Sequence, residues 1–190
     1  AMATEIEIKA WVDDPQEVQK KVSNFADFVK SYEKEDAYWL PEAEIAPLVK
    51  EQKRGTLGSG IRIRKENGVV LVTLKKKEVR EGMEINDELE FSVSSAPAFE
   101  EFLKTLGYTP WIRKHKEGKA WKWNNITLEL SLVRGLGWFA ELEILTDTNE
   151  AEKVEQARQD LYRCLEKIGI SQERIESRYY TELLLEGGVI

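Results

Sequence analysis

Glu5-Ile6-Glu7-Ile8-Lys9 alternates charged with β-branched apolar side chains without a break. Successive side chains of a strand point to opposite faces, so Glu5, Glu7 and Lys9 share one face while Ile6 and Ile8 share the other. Two carboxylates side by side repel each other unless a cation sits between them. An oxygen-only pair of this kind suits a hard divalent ion such as Mg²⁺ or Mn²⁺. Taken alone, the stretch also reads as an ordinary half-exposed strand with a charged solvent face. Its repetition along the chain argues against that simpler reading.

Ile61-Arg62-Ile63-Arg64 carries the same alternation with arginine, and Asn67-Gly68 is a strong hairpin signal leading into a return strand from Val69 to Lys77. Glu88-Leu89-Glu90-Phe91-Ser92-Val93 restores carboxylates. Beyond it, Trp111 to Trp123 carries Lys114, His115 and Lys116, and Asn124-Asn125 turns into Ile126 to Ser131. Gly135-Leu136-Gly137 then leads into Trp138 to Ile144, a second Glu-x-Glu strand built on Glu141 and Glu143. Together the charged faces hold Glu5, Glu7, Lys9, Arg62, Arg64, Lys75, Glu88, Glu90, Lys114, Lys116, Glu129, Glu141 and Glu143. The lone His115 alternates with the two lysines and is expected on the opposite face, as a structural or surface residue.

Helical spacing punctuates these strands. Asp13-Asp14-Pro15 is a helix-start signal, and Val18, Val22, Phe25, Phe28 and Val29 extend the expected helix to about Lys30. A strand from Tyr32 to Leu40 follows, then a loosely patterned stretch through Gly55-Thr56-Leu57-Gly58-Ser59-Gly60, read as a flexible loop. Ser95 to Leu106 and Asn149 to Ile168 read as amphipathic helices closed by Gly107 and Gly169, and Ser171 to Leu185 as a C-terminal helical segment. Trp111, Trp121, Trp123, Tyr179 and Tyr180 are read as packing or dimer contacts.

The chain has 190 residues, enough for one domain, expected over 4–186, with Ala1-Met2-Ala3 ahead of it as a remnant. A net charge of -7 and a pI near 5.1 argue against a broad nucleic-acid-binding surface. A single cysteine, Cys164, excludes an internal disulfide and a thiolate metal site. The sequence contains no apolar run long enough to span a bilayer and no leader pattern, so a cytoplasmic location is expected.

Many short antiparallel strands with one charged face fit either an open sheet or a closed barrel, since periodicity alone does not separate them. The number of strands and the arginines favour a closed barrel of about eight strands. It would have a polar lumen and an apolar exterior covered by helices. Arginine and lysine there would bind phosphate oxygens by charge-assisted hydrogen bonds, and carboxylates would meet the same phosphates through divalent cations. No P-loop, zinc-ligand spacing or nucleophile elbow points elsewhere.

These residues resemble the CYTH superfamily, the triphosphate tunnel metalloenzymes. Glu5 to Lys9 is similar to its Glu-x-Glu-x-Lys signature, Glu35-Asp36-Ala37-Tyr38 to its Asp-x-Tyr strand, and Arg62-Ile63-Arg64 to its arginine strand. Thr73-Leu74-Lys75, Glu88-Leu89-Glu90 and Lys114-His115-Lys116 follow in order. Gly135 to Glu143 resembles its Gly-Leu-Gly-x-Phe-x-Glu-x-Glu strand, and Arg178 to Leu184 its C-terminal tail. The resemblance implies an α+β fold around an eight-stranded antiparallel tunnel, often a homodimer, that binds triphosphates with Mg²⁺ or Mn²⁺. Glu5, Glu7 and Glu141 match metal-ligand positions, with Glu143 and Glu129 added to the candidate set. Lys9, Arg62, Arg64, Lys75, Lys114 and Lys116 match phosphate-binding positions. Glu5, Glu7, Lys75 and Tyr38 are the candidate catalytic residues, Tyr38 as an aid to water activation. Lysine at 116 in place of arginine, and Asn86 where many members carry arginine, leave the basic set thinner.

Within that superfamily the pattern looks most like the class IV adenylyl cyclase and thiamine triphosphatase group. The leading expectation is conversion of ATP to cyclic AMP and pyrophosphate. The alternatives are hydrolysis of an inorganic, thiamine or nucleoside triphosphate, or a binding module without turnover. The expected partner is a triphosphate small molecule, with neither nucleic acid nor membrane.

Overall fold

In the computed structural model, which describes residues 3–45, 60–148 and 150–188, eight antiparallel strands close into a barrel. They are β1 (Ala3–Trp11), β2 (Asp27–Pro41), β3 (Ile61–Glu66), β4 (Val69–Arg80), β5 (Met83–Val93), β6 (Tyr108–Trp123), β7 (Ile126–Val133) and β8 (Gly137–Thr146). Their order around the wall is β1-β5-β4-β3-β2-β6-β7-β8. The α-helices that accompany them among the described residues include α1 (Pro15–Ser23), α2 (Ala96–Thr105), α3 (Ala151–Lys167) and α4 (Tyr180–Glu186). The stretch expected as a flexible loop falls, apart from Gly60, outside the described residues.

Alternation along the strands sorts the side chains. The outward residues Ile6, Ile8, Leu128, Leu142 and Ile144 form one buried cluster with Val18 and Val22 of α1 and Leu161 and Leu165 of α3. On the far side, Leu103 of α2 packs with Ala37, Trp39 and Ile63. Burying apolar surface under helices drives closure from outside, roughly 25 cal/mol per Å² removed from water, and leaves the inward face free to be polar. Only the closed form encloses that face, so closure settles what the periodicity left open.

Helix α1 is shorter than its apolar spacing predicts. Asp14 caps it by accepting a hydrogen bond from the Glu17 amide, and it ends at Ser23, with Asn24 as C-cap. Phe28 and Val29, predicted on its buried face, are instead 57% and 55% exposed in β2, where Phe28 pairs with Trp121 of β6. The sixteen-residue β6 offers a backbone ladder to this segment, and that pairing overrides a helical pattern made of aromatic and β-branched residues. The C-terminal segment is likewise not one helix but a 3₁₀ turn at Gln172–Arg174 followed by α4.

Turns set the strand lengths. Asn67 and Gly68 both have positive φ, as a two-residue type I′ hairpin requires. Glu81-Gly82 forms a second such pair, unmarked by Asn or Asp, and it carries β4 to Arg80 and starts β5 at Met83. Gly118 marks a tight place in the wall. A Cβ there would stand 2.3 Å from the Leu130 carbonyl oxygen and 2.7 Å from Ser131 Cβ. Gly118→Ala is therefore expected to cost about 1–3 kcal/mol by overpacking. Denaturant unfolding checks this, and an unchanged midpoint would show that the β6–β7 ladder yields at no cost.

Candidate functional site

All thirteen residues of the charged strand faces line a single cavity of about 240 Å³ inside the barrel. Tyr38, Lys34, Lys77, Glu84, Tyr179, Tyr180 and Thr181 join them. Counted over the described residues, eight lysines and arginines face eight glutamates.

Opposite charges are interleaved across neighbouring strands. Lys75 stands 2.9 Å from Glu5 and 2.7 Å from Glu88, and Lys116 stands 2.9 Å from Glu141 and 3.3 Å from Glu129. Lys34 reaches Glu129 at 2.7 Å. Arg64 donates to Asp36 through Nε at 2.7 Å and Nη2 at 2.8 Å, and Lys114 approaches the same carboxylate at 3.3 Å. Arg62 donates to Thr73, yet its buried Nε has no partner. An orphaned guanidinium donor facing a cavity suits an anionic ligand.

The carboxylates divide into two groups. Glu5, Glu7 and Glu143 present oxygens that all lie within 4.8 Å of one another. Burial raises the pKa of Glu7, reinforced by Glu5, Glu141 and Glu84, and burial with the Glu5 charge pushes Glu143 up to about 9. Glu5 opposes its own burial and stays low because the Lys75 ammonium is beside it. Such like-charge crowding is what a divalent cation relieves, so the three residues fit a hard ion held by oxygen ligands. Glu141 and Glu129, the other candidates for that set, lie outside this cluster and pair with Lys116 and Lys34, as Glu5 within it pairs with Lys75.

Tyr38 is wholly enclosed. Burial raises its pKa, but Lys114, 3.1 Å away, outweighs that with help from Lys77 and Arg62, bringing it down to about 7. The phenol is thus protonated below pH 7 and a phenolate above it. Titrated by ultraviolet absorbance, the metal-free protein is expected to ionise one tyrosine with a midpoint near 7, and Tyr38→Phe to lose that step. If every tyrosine titrated near the ordinary value of about 10, the lysine field at Tyr38 would be refuted.

Sequence reading missed Lys34, Lys77 and Glu84. Lys34 alternates with Asp36 and Tyr38 in β2, which was signal enough. Lys77 ends the predicted strand two residues from Lys75 on the same face, so alternation marked it as well, whereas Glu84 falls in a strand extension created by the Glu81-Gly82 turn. Lys34 and Lys77 also replenish the basic set that Asn86 was expected to thin; Asn86 is fully buried and donates to Glu5 and Glu84. Tyr179 and Tyr180, expected as packing residues, line the cavity, with Tyr180 under Lys9 and Lys114 at 4.8 and 4.7 Å. His115 lies on the outer face against Glu33, 2.7 Å away, as its alternation predicts.

Residues 3–180 match the CYTH domain. The chain belongs to the CYTH family. Its fold and the charged tunnel agree with that membership. A Methanocaldococcus jannaschii relative named "Putative adenylate cyclase" is 30% identical over 183 residues, covering 94% of this chain and 97% of its own. A solved Pyrococcus horikoshii OT3 structure superposes with a TM-score of 0.79 at 27% identity, covering 96% of this chain and 98% of its own. A Hippeastrum structure is alike in fold alone, with a TM-score of 0.67 at 17% identity, covering 98% and 96%. That protein is described as an adenylyl cyclase candidate with a dominant triphosphatase activity. Among the described residues of this CYTH chain, no helix is long and apolar enough to cross a membrane.

Proposed function

We propose that this chain is a divalent-metal-dependent hydrolase that binds a compact triphosphate in the tunnel and cleaves it at the terminal phosphorus. The observation that carries this reading is the make-up of the cavity. At about 240 Å³ and with charged groups on every wall, it offers only Leu145 and tyrosine rings as apolar lining among the described residues. Sites for larger organic ligands run to about 300–1,000 Å³ and are mostly apolar. A polyphosphate chain can use every group in this wall, whereas a purine nucleoside would find little to bury against.

The balance of charge explains how such a ligand enters. Nearly every lining base has a glutamate or Asp36 beside it, so phosphate oxygens that capture Arg62, Arg64, Lys75 and Lys116 compete with carboxylates. Mg²⁺ or Mn²⁺ bound by Glu5, Glu7 and Glu143 would neutralise phosphate charge and polarise the phosphoryl group. Burial disfavours the Lys75 charge, but Glu5 outweighs it and holds the ammonium protonated, so Lys75 orients phosphate rather than accepting a proton. Tyr38, poised near neutrality beside Lys114, is the group able to take a proton from an attacking water.

The second reading is cyclisation of ATP, favoured by the name of the M. jannaschii relative at 30% identity. Both reactions need the same grip on a metal-bound triphosphate and differ in which phosphorus meets the nucleophile. Phosphorus NMR of products, with Mg²⁺ or Mn²⁺ and tripolyphosphate, thiamine triphosphate or ATP in separate reactions, decides between them. Orthophosphate released fastest from tripolyphosphate is the expected outcome. Cyclic AMP with pyrophosphate would replace hydrolysis with cyclisation, and tight binding without any product would leave only a binding module.

A further inference from the structure

Of the eight bases lining the tunnel among the described residues, seven have a carboxylate within ion-pair distance. The weakest of these contacts are Lys9 to Glu84 at 3.5 Å and Arg62 to Glu90 at 3.6 Å. Lys77 is the eighth. No carboxylate of the described residues lies within ion-pair reach of its ammonium, whose close neighbour is the Tyr179 ring, 4.5 Å from Nζ to centroid. Directly across the β4–β5 ladder stands Asn86, which is neutral, and whose amide nitrogen is committed to Glu5 and Glu84. The buried Asn86 Oδ1 has no partner.

A half-buried ammonium without a counter-ion costs free energy, and a ring face offsets only part of it. Lys77 is therefore the lining base left without an anion beside it, and the anion this cavity suits is a phosphate chain. We infer that Lys77 is a triphosphate-binding residue, which no signature motif of the sequence marks. This rests on the reading of the cavity as a triphosphate site. The other seven bases share their charge with a carboxylate when they meet phosphate. Lys77 gives up no ion pair, so its contribution to affinity is undiminished by a broken contact.

The test is calorimetric titration of tripolyphosphate into metal-free wild type, Lys77→Met, Lys77→Arg and Arg64→Ala, with thermal unfolding of each. Lys77→Met is expected to weaken binding about tenfold or more, the usual worth of a hydrogen bond to a charged group. Its melting temperature should match or exceed that of the wild type, because no ion pair is lost. Lys77→Arg, which keeps the charge, should bind within about threefold of wild type. Wild-type affinity in Lys77→Met while Arg64→Ala loses it would overturn the role of Lys77 and leave the triphosphate reading standing. Failure of the wild type to bind tripolyphosphate would overturn both. If Lys77→Met does not fold, lysine side-chain NMR of the wild type answers instead. The Lys77 signal should shift on adding tripolyphosphate, and an unmoved signal overturns the inference.

Discussion

Replacing Glu7 with glutamine is expected to reduce metal-dependent turnover about a thousandfold or more while leaving the barrel folded. Glu7 lies in β1 with Glu143 directly opposite it in β8, and with Glu5 their oxygens gather within 4.8 Å. Removing one of three oxygen ligands removes much of the affinity for a divalent ion, and with it the several kcal/mol of charge stabilisation such an ion supplies. The fold should not suffer. Burial and the neighbouring Glu5, Glu141 and Glu84 already raise the Glu7 pKa, so a neutral amide relieves repulsion, and the melting temperature in chelator is expected to hold or rise. The same environment fixes a sign for pH. Glu143 keeps its proton up to about pH 9, so binding of Mn²⁺ at neutral pH must release protons and must tighten as pH rises toward 9. Calorimetry in buffers of differing ionisation enthalpy counts those protons. Full activity in Glu7→Gln would remove Glu7 from the site, and metal binding without proton release would remove Glu143.

Asp36→Ala should produce the largest loss of stability, about 3–5 kcal/mol. Asp36 is 3% exposed and is bonded twice by Arg64 and approached by Lys114. Burial opposes its charge, yet Arg64 and Lys114 hold its carboxyl well below the usual range. Without it, two cations are left enclosed beside Arg62 with no anion among them. A triphosphate carries the missing charge, so tripolyphosphate is expected to raise the melting temperature of Asp36→Ala more than that of the wild type. Equal shifts in the two proteins would show that the ligand does not reach Arg64. An unchanged stability of the free variant would show that water reaches these cations and solvates them.

Much of the site was legible because a strand has a period of two. Once Glu5, Arg62, Lys75, Glu88, Lys114 and Glu141 are seen to recur in apolar alternation, one face of each strand is assigned, and closure brings those faces together. Legibility fails where local pattern and tertiary pairing disagree. Phe25, Phe28 and Val29 continue the spacing of α1, but β6 captures Phe28 and Val29 into β2. Glu84 was missed for a related reason. The strand holding it begins at a Glu-Gly turn whose positive φ at Glu81 carries no residue signature.

The amino-acid order by itself determined the strands, their charged and apolar faces, and the class of ligand those charges suit, since each follows from spacing and residue type. Tertiary structure alone decided which carboxylates stand together and which base pairs with each. Glu143 joins Glu5 and Glu7 while Glu141, two residues away on the same face of β8, goes to Lys116. That partition depends on the stagger of eight tilted strands, which sets which side chains meet across the tunnel and is written in no single segment.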